Sequence, residues 1–336
     1  MSEPFSVLWL QAGSCGGCTM SALAADDVGL VRALERFGIR LLWHPSLSEE
    51  SGAEALAILT AAAEGRVRVD ALCVEGAILT GPNGTGRFQL LSGTGTPVSR
   101  WVERIARHAH NVVAVGSCAA FGGIPMAGGN PTDATGLQAG GLQHDGGLLP
   151  TEFRSRSGLP VINIAGCAPH PGWLVETLAD LALGGFDAAR LDSLGRPRAF
   201  ADHLAHHGCS RNEFYEFKAS AAKPSDRGCL MENLGCKATQ APGDCNIRRW
   251  NGYGSCTDGG FACINCTTPG FQDSGAPFLE TAKIAGIPVG LPVDMPKAWF
   301  VALAALSKSA TPQRVRTNAH ADHVVVPPAR KPPKAP

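Results

Sequence analysis

The sequence predicts an α/β protein whose N-terminal half is a parallel sheet covered on both faces. An irregular, metal-organised domain follows it. Up to about residue 185, apolar runs of strand length alternate with segments of helical period. Those runs are continuously apolar, as strands buried on both faces require. Beyond about residue 200 the strand signals fade, and seven cysteines fall between 209 and 266. A region with so little periodic structure needs its metals to fold.

In chain order the expected strands are "FSVLWL" (5–10), "IRLLWH" (39–44), "DALCVEGAIL" (70–79), "NVVAVGSC" (111–118) and "LPVINIAGC" (159–167). Helical patterns at 27–37, 51–64, 97–109 and 171–183 lie among them. This spacing suits a doubly wound, flavodoxin-like domain. The chain divides into a flavodoxin-like domain at 1–185, a cysteine-rich domain at 186–285 and a C-terminal extension at 286–336. The extension is expected to contact a partner or to be mobile. From about 308 it is basic and Pro-rich, ending "PPARKPPKAP".

Charge balances at 29 basic and 29 acidic residues, so no basic field points to nucleic acid or an anionic membrane. The first residues enter a strand without a basic segment, an apolar leader or a twin-arginine motif. "KAWFVALAALSKSA" is too short to span a bilayer and is flanked by lysines. The expectation is a cytoplasmic protein without membrane insertion. In that reducing compartment 12 cysteines point to metal rather than to disulfides.

Three expected strands end in cysteine-bearing loops: Cys15 and Cys18 after the first, Cys118 after the fourth, Cys167 after the fifth. Sites in open parallel sheets form at the carboxyl ends of strands. Four distant cysteines thus reach one edge, each beside glycine or serine, where a bulky ligand can approach the backbone. Cys73, inside a strand pattern, reads as a buried thiol. The remaining ligands sort by position. His206, Cys209, Cys229 and Cys236 open with an HxxC step. Cys245, Cys256, Cys263 and Cys266 make a third group. Sulfur-rich sites are zinc or iron–sulfur. The spread of the first four is unusual for a zinc knuckle, and a thioredoxin-like CxxC leaves the other ten cysteines unexplained.

Taken together, "WLQAGSCGGC", "VEGAI", "VGSCAAFGG", "GCAPHPGW", "HHGCSRNEFYEF", "GCLMENLGCK" and "CINCTTPGF" resemble the small, electron-transferring subunit of nickel–iron hydrogenases over roughly residues 5–300. The resemblance implies a proximal cluster on Cys15, Cys18, Cys118 and Cys167, and a distal one on His206, Cys209, Cys229 and Cys236. It places the medial cluster on Cys245, Cys263 and Cys266. It implies a large-subunit partner holding the Ni–Fe centre that splits H2, with no catalytic residue in this chain.

Departures from the family pattern add expectations. Gly17 and Gly123 stand where some oxygen-tolerant relatives have two extra cysteines, so an ordinary proximal [4Fe-4S] cluster is expected. Ser14 replaces a glutamate usual before the first proximal cysteine, and a proton route there is in doubt. Glu75 is a candidate of undetermined role, or a structural acid capping a loop. Where many relatives have three medial cysteines and a [3Fe-4S] cluster, Cys256 is expected to complete a third [4Fe-4S] cluster. The alternative is that Cys256 is a bystander. Segments such as "LLWHPSLSEESG", "NGTGRFQLLSGTG" and "YEFKASAAKPSD" look most like cytoplasmic hydrogen-sensing hydrogenases. That likeness implies a heterodimer, its dimer, and a sensor histidine kinase as partner. The alternatives are a cytoplasmic uptake hydrogenase, a structural zinc-binding interaction module, and a respiratory-complex subunit related to the N-terminal domain.

Overall fold

The computed structural model describes residues 3–25, 29–139, 146–273, 275, 277–289, 291 and 296–328. Residues 27–28 of the expected first helix and 329–336 of the basic tail lie outside the described residues. The chain divides into two compact units, Met1–Asp202 with Cys266–Asp273, and His203–Asn265 with Ser274–Pro336. The stretch expected to stand apart at 286–336 is grouped with the second unit.

The first unit is built on a parallel five-stranded sheet, and the fold is of the expected α/β class. Its strands are Phe5–Gln11, Ile39–Trp43, Ala71–Glu75, Asn111–Val115 and Ile162–Ile164. Counted along the chain among these five, their spatial order is 2-1-3-4-5, the flavodoxin-like winding. Leu8, Leu10, Leu72, Val74, Val112 and Ala114 share one buried core with residues of the helices Gly52–Ala63 and Val98–Ala106. The second of these helices shows why the pattern was readable. Val98, Trp101, Val102 and Ile105 form one buried stripe, while Arg100 and Arg104 lie off it. Pro171 opens the helix Pro171–Ala182, and the Nδ1 of His170 accepts from the Gly172 amide at 3.0 Å.

Two details differ from the expected elements. The run 70–79 is not one strand. It stops at Glu75, turns at Gly76 (φ 92°), and Ile78–Leu79 pairs antiparallel with Ala134–Thr135. A Cβ at Gly76 would stand 2.7 Å from the Gly13 carbonyl carbon, so the two loops approach as only glycine permits. The short helix Gly17–Leu23 follows the first strand and carries Cys18. Its seven residues offer too little period to be read.

The second unit has few regular elements, and its apolar residues form small separate clusters. Its C-terminal stretch, expected to contact a partner or to be mobile, carries two helices. Helices span Lys297–Ala310 and Gln313–Ala319. Val315 and Ala319 are fully buried against Phe214 and Cys229. The Asn318 side chain binds the backbone of Val325 and Val326. A single i, i+4 apolar pair holds this helix, which is why composition gave no sign of it. Val315→Asp is expected to destabilise this unit by about 3 kcal/mol or more, because it buries an unpaired carboxylate. Thermal melting followed by iron analysis checks it. Among the described residues no helix is long and apolar enough to cross a membrane.

Candidate functional site

The ends of the central strands bring the first group of cysteines together. Cys15 follows the first strand, and Cys18 sits in the first turn of the helix behind it. The strand Asn111–Val115 passes through Gly116 (φ 88°) into the short helix Ser117–Phe121, which carries Cys118. The strand Ile162–Ile164 leads to Gly166 and Cys167. The thiols feel one another. Burial, then Glu75, Cys118, Cys167 and Cys15, push the Cys18 thiol far up. Burial, followed by Cys167, pushes Cys118 up to about 11. Cys167 is raised by burial and by Cys15. Cys73 is fully buried within its strand between Trp9 and Val113, and burial alone raises its thiol.

Glu75 underlies this group. It is fully buried. Its Oε1 accepts from the Ser14 hydroxyl (3.0 Å) and from the amides of Cys18 (3.1 Å) and Thr19 (3.2 Å). Its Oε2 accepts from the Trp9 indole (3.2 Å), the Gln11 amide (3.2 Å) and the Thr19 hydroxyl. Burial works against ionisation, but these donors outweigh it and hold the carboxyl below its ordinary range. The carboxylate thus ties the Cys18 turn to the sheet. Ser14 links the same carboxylate to the Gly16 amide at 2.9 Å.

The second group lies wholly in the second unit. His206, Cys209, Cys229 and Cys236 line one recess with Arg211 and Tyr215. Burial raises Cys236 and pushes Cys229 up to about 12, each thiol feeling its neighbours. Burial also lowers His206, the direction that favours the neutral imidazole a metal ligand requires. Its ring lies edge-on to Tyr215, with centroids 4.4 Å apart. The Arg211 guanidinium faces the thiols, its Nε on the Thr257 carbonyl (2.9 Å) and Nη1 on those of Asp226 (2.6 Å) and Gly228 (2.7 Å). The sequence reading passed over Arg211, though an arginine two residues after Cys209 in "HHGCSRNEF" was the available signal.

Of the third group, Cys245, Cys256 and Cys263 belong to the second unit and Cys266 to the first. Burial, then Cys256 and Asp244, push Cys245 up to about 12. Cys245 and Cys263 pack on the same small cluster of Ala205, Ala238 and Ala241. Cys266 is held in the first unit through its carbonyl, which accepts from the Ser117 hydroxyl.

The donor sets suit a sulfur-ligated cluster. Thiolates bind metal, and each raised thiol favours a cation that takes up its charge and releases its proton. A Cβ at Gly116 would collide with the Cys18 sulfur, and one at Gly123 would lie 2.9 Å from the Cys118 sulfur. Gly17 likewise faces Cys15, at 3.2 Å. Bare backbone therefore lines the first group where side chains would fill the space. Among the described residues no three His, Cys, Asp or Glu side chains converge closely enough for a single metal ion.

Two family models match the chain. NADH ubiquinone oxidoreductase, 20 Kd subunit, matches residues 15–181. The C-terminal part of the NiFe/NiFeSe hydrogenase small subunit matches residues 202–279. The F420 non-reducing hydrogenase I small subunit of Methanosarcina mazei is 35% identical over 309 residues, covering 86% of this chain and 78% of that protein. The periplasmic NiFeSe hydrogenase small subunit of Desulfomicrobium baculatum is 32% identical over 291 residues, covering 81% and 86%. A solved actinobacterial-type NiFe-hydrogenase from Ralstonia eutropha H16 superposes with a TM-score of 0.75 at 29% identity, covering 93% of each chain.

Proposed function

We propose residue assignments and a physiological role for this chain, which belongs to the nickel–iron hydrogenase small subunits. Such subunits transfer electrons, carry iron–sulfur clusters, and pair with a large subunit holding the Ni–Fe centre of an H2 oxidoreductase. Cys15, Cys18, Cys118 and Cys167 hold the proximal cluster. His206, Cys209, Cys229 and Cys236 hold the distal one. Cys245, Cys256, Cys263 and Cys266 hold the medial one. When bound, each cluster accepts and passes single electrons. The observation that carries the reading is the meeting of four thiols at three strand ends above the Glu75 anchor.

The chain's own residues prepare these sites. Glu75 fixes the Cys18 turn, and glycines 17, 116 and 123 keep side chains away from the proximal sulfurs. His206 stays neutral, so the distal site carries less negative charge than a four-thiolate site and its potential is higher.

Cys256 is assigned as the fourth medial ligand because its charge reaches Cys245. All three clusters are then [4Fe-4S]. A fourth thiolate lowers the medial potential relative to a three-cysteine [3Fe-4S] site. Cys256→Pro is expected to give a new [3Fe-4S] EPR signal in the oxidised complex. The same signal already present in the unaltered complex contradicts the assignment.

The physiological role we propose is H2 sensing in the cytoplasm, with a heterodimer, or its dimer, reporting to a sensor histidine kinase. It rests on the likeness of the segments around residues 42–52, 83–95 and 215–226 to hydrogen-sensing enzymes. H2 is expected to change autophosphorylation of a co-purified kinase. A second reading is the small subunit of a cytoplasmic uptake hydrogenase that feeds electrons to a carrier. Rapid H2-driven dye reduction with no effect on any kinase supports uptake instead.

A further inference from the structure

We propose that the Ser117 hydroxyl is the bridge by which electrons leave the proximal ligand loops for the medial ligand Cys266; this rests on the cluster assignments above. Ser117 immediately precedes Cys118 and is buried, with 1% of its surface exposed. Its hydroxyl does two things at once. It accepts the Gly166 amide at 2.8 Å and donates to the Cys266 carbonyl. Its own amide donates back to the Gly166 carbonyl at 3.0 Å. Gly166 is bonded to Cys167. One oxygen atom therefore joins the backbones beside two proximal ligands, Cys118 and Cys167, to the backbone of a medial ligand.

Chemistry suits a hydroxyl at this point. A hydroxyl donates and accepts together, so one oxygen binds both the Gly166 amide and the Cys266 carbonyl. Alanine removes both hydrogen bonds and replaces a hydrogen-bonded contact by a gap. Electronic coupling falls more steeply across a gap than along bonds and hydrogen bonds. Arg196 steadies the same segment: its Nη1 donates to the Thr267 carbonyl at 2.9 Å, and a buried ion pair with Asp192 fixes it. The segment bearing Cys266 thus has a fixed register against Ser117.

The electron count is simple. H2 oxidation at the large subunit yields two protons and two electrons, and the electrons cross one at a time. In the test the oxidised clusters themselves receive them.

The test uses the complete heterodimer in three forms: unaltered, Ser117→Ala and Ser117→Thr, which keeps the hydroxyl. Iron content and the EPR signals of each cluster are recorded first. Freeze-quench EPR after mixing with H2 then gives the rate at which the medial cluster is reduced relative to the proximal one. The expected result is full iron in all three, a several-fold lag of medial reduction in Ser117→Ala, and no lag in Ser117→Thr. Equal rates in Ser117→Ala and the unaltered complex overturn the proposal. So does an equal lag in both variants. A Ser117→Ala protein short of iron beside a loaded, fast Ser117→Thr assigns the hydroxyl to cluster loading and also overturns it. Absence of iron–sulfur signals in the unaltered complex is a separate result, and it overturns the cluster assignment itself.

Discussion

Glu75→Ala is expected to destabilise the first unit by about 4 kcal/mol or more, because it orphans several buried donors at once. The carboxylate accepts from Trp9, Gln11, Ser14, Thr19 and the Cys18 amide. Trp9 and Thr19 are themselves buried, so their donors have no water to turn to. Against a total stability of about 5–15 kcal/mol, that loss is a large fraction. The Cys18 turn is also released, so proximal iron is lost with it. Glu75→Gln keeps one acceptor oxygen but aims an NH2 group at the remaining donors, and an intermediate loss is expected. Denaturation of both variants, with iron analysis before unfolding, checks the order: unaltered, then glutamine, then alanine.

Cys18→Ala is expected to reduce H2-driven dye reduction to background while the second unit keeps its iron. Cys18 is the thiol most engaged with its neighbours, feeling Cys118, Cys167 and Cys15. A proximal site missing that ligand interrupts the relay at its first station. The distal donors occupy the other unit and do not depend on it. The measurement is dye reduction under H2 together with iron per small subunit and the EPR signals that remain. Loss of all iron would make the proximal site a folding nucleus for the whole chain rather than a relay station.

Much of this was legible in the sequence, for identifiable reasons. Strands buried on both faces leave continuous apolar runs, and all five sheet strands were found that way. The placing of the first group of cysteines at strand ends was legible too, since parallel topology sends every carboxyl end to one edge. Cys73 was readable as a core thiol because strand residues surround it. What failed to show was whatever depends on convergence. Glu75 is one acid in "VEGAI". Only the registers Trp9↔Cys73 and Gln11↔Glu75 place its carboxylate among so many donors. Ser117 looks like any small residue before a cysteine until Gly166 and Cys266 meet its hydroxyl. The helix Gln313–Ala319 was hidden in a basic, proline-rich stretch, because two buried residues suffice to hold it and two residues make no pattern.

On the assignments proposed above, eleven cysteines and one histidine hold three clusters, each of four irons. Metal analysis and EPR of the complex purified with its large subunit test it most directly. The expected result is a brown complex with iron and acid-labile sulfide in the small subunit, nickel arriving with the partner, and three reducible [4Fe-4S] centres. A colourless small subunit loaded with zinc contradicts it.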